Sequence, residues 1–263
     1  MMKRIWALAF NTFRDAIRHR VLYGIIAVVF AINLFAIVLG EMSLHQEARV
    51  ARDLGLGGVS LFGCVTAIFL GVMLLYSEIQ KRTIHTIVSK PIERYEFVLG
   101  KYVGMCLTLS CLVVIFSMAM MLLLWMQDVA VTVMLIKALV LAFWEVLVVA
   151  AMALFFSSFS TPFLSGIFTF GLFAAGRMTP ELRAAIETGD SESTNMVAKL
   201  ALYILPDLHL FSVSGGSVEG AHVSIHSDFV SWSYMATASA YGVVYIGILL
   251  GLSIVIFARR DFV

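Results

Sequence analysis

Long apolar runs alternate with short polar segments along this chain, and the lengths of the runs predict membrane-spanning helices. A helix needs about 20 apolar residues to cross a hydrocarbon core of about 30 Å. We therefore predict an all-α polytopic membrane protein, built as one domain over residues 1–263. Its six transmembrane helices are expected at 21–39, 57–76, 102–125, 131–156, 162–176 and 234–257.

The first 20 residues differ from these spans because their polar and apolar positions separate onto two sides of a helix. Trp6, Phe10, Phe13 and Ile17 recur at helical spacing, and most of the basic residues fall on the other side. The apolar run here is too short to be the core of a signal peptide. Segment 1–20 is therefore predicted to be an amphipathic helix that lies in the lipid headgroup layer.

Composition supports a lipid environment. The chain is 61% hydrophobic and 13% charged, with a mean hydropathy of +0.97, whereas soluble domains are about 45–50% apolar and about 25% charged. The net charge of +1 gives no indication of a nucleic-acid partner. Cys64, Cys106 and Cys111 all lie in apolar runs, so no disulfide framework is expected.

The distribution of basic residues predicts the orientation in the membrane. With the N-terminus in the cytoplasm, twelve of the 18 Lys and Arg residues fall on the cytoplasmic side and five fall outside. Because cytoplasmic loops carry the excess of Lys and Arg, both termini and the loop 77–101 are predicted to be cytoplasmic. Residues 177–233 then form a long external segment.

The external segment shows signs of local structure. Thr179 followed by Pro180 marks a helix start, and Gly189 marks its end. A second amphipathic stretch covers 194–205, and Trp232 follows as an interfacial aromatic residue before the last span.

Two histidines and an aspartate in the external segment, His222, His226 and Asp228, are residue types that can bind a metal ion. In an extended strand alternate side chains share a face, which would bring two imidazoles and a carboxylate together. A loop this rich in Ser and Gly more often carries such residues without a metal. We predict no metal site, and the possibility stays open for His222, Ser224, His226 and Asp228.

Two charged residues lie within the predicted spans. Glu145 is about 21 Å along its span, where a carboxylate is costly unless it is paired, protonated or facing water. It either lies on a translocation pathway or dimer seam, or it forms a hydrogen bond to a neighbouring span that holds the bundle together. Lys137 is nearer the outer surface, and its side chain can extend towards the headgroups.

The loop "SEIQKRTIHTIVSKPIERYEFVLGK" (77–101) is the most polar and basic passage near the middle of the chain. Its first half can continue the second span as a helix, and Pro91 can end that helix and begin another over 92–99. A short cytoplasmic helix with mixed apolar and charged faces is either a docking element or a solvated hairpin that follows the positive-inside rule.

The loop resembles the cytoplasmic loop of type 2 ATP-binding-cassette (ABC-2) permeases in the pattern E-x3-R-T followed by S-x-P-I-x-R-x2-F-x2-G-K. The resemblance extends to the basic N-terminal helix, the six spans, the long outer segment and the C-terminal "FARRDF". Within the family, the chain looks closest to the subgroup that includes the permease of the nitrous-oxide-reductase maturation system.

The resemblance implies a separate P-loop ATPase, present in two copies, that docks on this loop and binds ATP and Mg²⁺. The chain itself is then not an enzyme and binds no cofactor; accordingly it lacks G-x-x-x-x-G-K-[ST]. A second permease copy, most simply a homodimer, is implied, with a possible periplasmic partner on 177–233 and a bacterial or archaeal inner membrane as location. The implied docking residues are Glu78, Lys81, Arg82, Thr83, Pro91, Arg94, Phe97 and Lys101.

Three other classes of membrane protein are alternatives to a permease. A membrane anchor that docks the ATPase without moving a solute would use the same fold and loop. An intramembrane enzyme is disfavoured because the chain has no H-E-x-x-H or G-x-S-x-G motif and no histidine inside a span. A channel or secondary transporter is disfavoured because only two charged residues lie within the spans.

Overall fold

The structure of the chain is a computed structural model. It describes residues 2–42, 47–80, 93–129, 131–188, 202, 205–212, 217–218, 221–222 and 231–259.

Eight α-helices account for most of the described ranges, and the only β-structure there is one antiparallel pair of two-residue strands, β1 (Ser217–Val218) and β2 (Ala221–His222). A single 3₁₀ turn covers Leu208–Phe211. The helices are α1 (Met2–Ile17), α2 (Arg20–Met42), α3 (Glu47–Gln80), α4 (Arg94–Met126), α5 (Val133–Phe159), α6 (Pro162–Arg177), α7 (Thr179–Thr188) and α8 (Trp232–Arg259).

Four of these helices, α3, α4, α5 and α8, are long and apolar enough to cross a membrane. The pair α1 and α2, bent by 63°, brings the number to as many as five. With 16 residues, α6 is only about 24 Å long and falls short of a hydrocarbon core of about 30 Å. The all-helical fold is thus confirmed, and the sixth span stays a prediction.

The centre of the bundle is α5, which contacts α3, α4, α6 and α8. Every residue from Val146 to Leu154 is buried, as expected for a helix that is apolar on all sides. Glycines let α3 approach it closely: a Cβ added at Gly63 would lie 2.7 Å from Val146 Cγ2. Small residues at a helix interface are the usual means of close packing in lipid.

The N-terminal helix α1 packs along the first turns of α4. Its small buried side is formed by Ala9, Thr12 and Ala16. Opposite them, α4 has glycines four residues apart: a Cβ at Gly100 would lie 2.7 Å from Leu8 Cβ, and one at Gly104 would lie 2.6 Å from the Ala9 carbonyl oxygen. A G-x-x-x-G pair therefore sets the distance between these two helices.

The short helix α6 begins at Pro162, with Thr161 at the N-cap position, although the Thr161 side chain makes no capping hydrogen bond. Gly176 is tightly packed, but Gly171 has open space around it. Because five residues turn a helix by about 140°, glycines at that spacing cannot share one face.

We predict that Gly104→Val lowers the free energy of unfolding by about 1–3 kcal/mol, because the added methyl groups must displace α1 from α4. The measurement is unfolding of the purified chain in mixed micelles by titration with dodecyl sulfate.

The matched control is Gly247→Val in α8, where an added Cβ has no neighbour within 4 Å. A change within about 0.5 kcal/mol is expected there. Equal losses for the two variants would contradict the close contact of α1 and α4.

Candidate functional site

A fully buried carboxylate joins three helices in the half of the bundle that the predicted orientation places towards the outside, which we call the outer half. Glu145, in the middle of α5, has no exposed surface. The Ser60 hydroxyl of α3 donates a 2.5 Å hydrogen bond to Glu145 Oε2, and Arg177 Nε, at the end of α6, lies 3.0 Å from Glu145 Oε1. The same guanidinium donates from Nη2 to Ser60 Oγ at 2.9 Å. These contacts correspond to the interpretation in which Glu145 holds neighbouring helices together.

The lengths of α5 and α6 explain why Arg177 reaches Glu145. The two helices run in opposite directions from a tight connection at 160–161. Arg177 is 15 residues beyond the start of α6 and Glu145 is 14 residues before the end of α5, so both lie about 21–23 Å from the connection. Glu145 is about 18 Å from the outer start of α5. Consequently α6 ends well below the outer surface, at the depth of the carboxylate.

Residues 205–212, which we name the outer plug, lie on the outer side of the Glu145–Arg177 pair. Leu208 and Phe211 are buried, and a Cβ at Gly176 would lie 2.6 Å from the Pro206 carbonyl oxygen. Irregular backbone at membrane depth requires protein around it, since lipid offers no hydrogen bonds. The outer plug meets that requirement through contacts with α5, α6 and α7.

Asp207 connects the outer plug to the surrounding helices. Its carboxylate accepts a 2.8 Å hydrogen bond from Thr179 Oγ1 and pairs with Arg183 Nη2 at 2.6 Å, both on α7. Its backbone N–H donates to the Tyr241 hydroxyl of α8 at 3.0 Å. A second tyrosine of α8, Tyr234, donates from its hydroxyl to a plug carbonyl at 2.7 Å.

A cavity of about 10 Å³ lies between the outer plug and the buried carboxylate, which is close to the space needed for one water molecule. Its polar lining suits water and leaves no room for a larger solute. This cavity is therefore too small to hold a transported solute. The lining residues are Leu56, Ser60, Ala138, Ala142, Glu145, Arg177, Phe211 and Ser212.

Lys137 lies one turn into α5, and its Nζ is 4.6 Å from the ring centroid of Trp232 at the start of α8. This cation–π contact brings the ammonium group towards the outer end of both helices. It agrees with the expectation that Lys137 extends towards the headgroups.

At the opposite end of the bundle, the start of α4 is attached to α1. The buried Glu96 accepts a hydrogen bond from the backbone N–H of Glu93 at 3.4 Å. Arg4 of α1 lies 3.9 Å from the same carboxylate. With the glycine contacts of α4, this pair places α1 directly beside the start of α4.

The same turns of α4 contact the end of α8. Arg94 Nη1 donates to the Phe257 carbonyl oxygen at 3.2 Å, and the rings of Phe97 and Phe257 stack with centroids 5.5 Å apart. Lys101 is almost fully buried, with its Nζ 5.8 Å from the Phe97 centroid. We name Arg94, Phe97, Lys101 and Phe257 the inner cluster.

The inner cluster contains three of the eight predicted docking residues. The backbone of Glu78 lies in the last turn of α3, whereas Lys81, Arg82, Thr83 and Pro91 lie outside the described residues. The same is true of Ser224, His226 and Asp228, and only the backbone of His222 is described, in β2. Across the described ranges, no group of three His, Cys, Asp or Glu side chains is suited to a metal ion.

Arg177, Ser60 and Phe257 were missed by the sequence analysis. Arg177 was counted among the external residues, because a span was expected to end just before it. The shortness of that span was the available signal: 16 residues cannot bring the arginine to the outer surface. Ser60 and Phe257 have no comparable signal, since each acts through a contact that is distant in sequence.

These features define a polytopic helical membrane protein whose two ends are held by separate polar and aromatic clusters. The family model for ABC-2 family transporter protein matches residues 6–262, and the chain belongs to that family. It is thus the membrane component of an ABC transporter and not its catalytic subunit, and such components generally work with an ABC ATPase. A comparison with curated proteins finds no match.

We predict that Arg177→Met lowers the free energy of unfolding by about 3 kcal/mol, because it leaves the Glu145 carboxylate buried without its cation. The double variant Glu145→Leu/Arg177→Met should recover most of that loss, since it removes both charges. The measurement is a double-mutant cycle by dodecyl sulfate titration.

Arg183→Met is the control, because its ion pair with Asp207 is exposed and such pairs contribute about 0–1 kcal/mol. If the two single variants and the double variant of Glu145 and Arg177 show additive losses, the ion pair does not couple these helices.

Proposed function

We propose that this chain is a permease that couples ATP hydrolysis by a separate P-loop ATPase to export of a substrate across a bacterial or archaeal inner membrane. In this proposal the chain has six spans and both termini in the cytoplasm, and it works as a dimer with two ATPases. The likeness to the nitrous-oxide-reductase maturation subgroup belongs to the proposal and names no substrate for this chain.

The inner cluster is the observation that carries the coupling proposal. The loop 77–101 runs from the end of α3 into the first turns of α4, and those turns contact both α1 and the end of α8. A displacement applied to the loop would therefore reach three helices through direct side-chain contacts. A solvated loop without a docking function would not require these contacts of α4 with α1 and α8.

In this proposal the ATPase docks on the loop through Glu78, Lys81, Arg82, Thr83 and Pro91, which precede the start of α4. Arg94, Phe97 and Lys101 then pass the motion on, because Phe97 and Lys101 are buried in the bundle and Arg94 contacts α8. ATP and Mg²⁺ would be held by the partner, and this chain would supply no ligand to them.

The outer plug would be the element that has to move during export. The Glu145–Arg177 pair and the Asp207 contacts hold it over a cavity that fits only water. Transport of anything larger would require the plug to separate from α5 or α8. We therefore propose that Glu145 lies beside the export route and helps to hold the outer plug. Its carboxylate is covered while the plug is in place.

A second copy of the chain is proposed because α6 is incompletely covered. Phe163, Ile167 and Phe170 of α6 are exposed, and apolar grooves run between α6 and each of its neighbours α3 and α5. A second permease laid along this side would cover them. Lipid chains would be the alternative occupants.

The competing proposal is a membrane anchor that holds the ATPase without moving a solute. The closed outer plug fits that function as well. Turnover of the ATPase that rises with an added substrate would favour the permease, whereas turnover independent of every solute would favour the anchor.

We predict that Arg94→Ala lowers ATP turnover of the purified complex by about tenfold, because it removes a hydrogen bond from a charged donor at the junction of α4 and α8. The full tagged chain is purified in detergent, the co-purifying P-loop ATPase is identified, and turnover is measured per complex.

Glu181→Ala, at an exposed position near the start of α7, is the matched control, and its turnover should stay near that of the unaltered chain. Recovery of no ATPase, or equal turnover with and without the chain, would overturn the coupling proposal. Unchanged turnover in Arg94→Ala alone would exclude the inner cluster as the route of coupling.

A further inference from the structure

The N-terminal helix α1 has three distinct faces, one more than an ordinary amphipathic helix. One face packs against α4 through Ala9, Thr12 and Ala16. A second face is apolar but exposed, with Trp6 at 59% and Phe10 at 55% of full exposure. Large aromatic side chains left uncovered in this way suit the boundary between lipid chains and headgroups.

The third face is basic and borders the exposed aromatic face. At about 100° per residue, Lys3 and Arg14 lie on adjoining positions of the helix next to Phe10. Arg18 directly follows the last residue of α1 and continues this face, and all three are exposed. Within the described part of the chain, none of the three forms an ion pair. Arg4 falls on the far side of this face and reaches Glu96 instead.

The bend between α1 and α2 sets how this basic face meets a bilayer. The two helices differ in direction by 63°, and a spanning helix is tilted on average about 20° from the membrane normal. If α2 crosses with that tilt, the axis of α1 is inclined by about 43–83° to the membrane normal. The aromatic face can then enter the lipid while the adjoining basic side chains reach the level of the phosphates.

We propose that the basic face of α1, formed by Lys3, Arg14 and Arg18, binds the headgroups of anionic phospholipids. Charge complementarity selects the occupant: three exposed cations beside an inserted aromatic face match a surface of phosphate groups. A soluble acidic peptide would leave Trp6 and Phe10 uncovered. Because the opposite face is fixed to Gly100 and Gly104, the bound lipid also holds the start of α4 at the membrane surface.

Fluorescence of Trp6 provides a local test. Trp125, Trp144 and Trp232 are replaced by Phe, leaving Trp6 as the only indole, and the full chain is reconstituted in phosphatidylcholine vesicles. Brominated phosphatidylglycerol or brominated phosphatidylcholine is added at equal mole fraction, and quenching gives the relative affinity of each lipid for the region beside α1.

Stronger quenching by the anionic lipid is expected, with a preference of about fivefold or more that falls at high salt. Lys3→Gln/Arg14→Gln/Arg18→Gln should bring the preference to about one. The charge-preserving variant Lys3→Arg/Arg14→Lys/Arg18→Lys should retain it. Both variants are first matched by dodecyl sulfate titration, so a folding defect is recognised as such.

Equal quenching by the two lipids in the unaltered chain would overturn the proposal, and so would a preference that survives loss of the three charges. Absence of quenching by either lipid would show that α1 lies away from the bilayer, which also overturns it. The experiment contains no ATPase, so its failure is distinct from failure of the permease proposal.

Discussion

A carboxylate inside a hydrocarbon layer has to be paired within the protein, and the pairing of Glu145 with Arg177 determines much of the outer half of this molecule. To supply the arginine at that depth, α6 ends after about 24 Å, short of a hydrocarbon core of about 30 Å. The chain after it must then begin α7 and the outer plug while still surrounded by protein. The hydrogen bonds of Asp207 with α7 and α8 follow from the same requirement, because backbone at that depth has no water to satisfy it.

The last helix, α8, is the element that the two ends of the bundle share. Near its start, Tyr234 and Tyr241 contact the outer plug, and near its end, Phe257 contacts α4. Tyr241 and Phe257 are about 24 Å apart along one continuous helix. A helix is stiff over that length, so the position of its inner end constrains the tyrosines at the outer end. The arrangement gives the proposed ATP-driven motion a direct mechanical route.

Local patterns predicted the helices well. A run of about 20 apolar residues marks a span, and a capping residue followed by proline marks a helix start, as at Thr161–Pro162 and Thr179–Pro180. They also identified Glu145, since a lone charge in such a run is conspicuous. Its partners were not predictable in this way: Ser60 and Glu145 are 85 residues apart, and no periodicity relates them. The contacts of Arg94 and Phe257, 163 residues apart, likewise come from helix packing.

The close approach of α1 to Gly100 and Gly104 has a consequence for how the chain is made. Synthesis proceeds from the N-terminus at about 5–20 residues per second, so α1 emerges roughly 5–20 s before the glycines that receive it. During that interval its small face has no partner in α4, and the helix can only rest on the membrane surface while α2 and α3 insert. Assembly of the inner end is therefore completed late, when the glycines of α4 pack against α1, which was translated before α4.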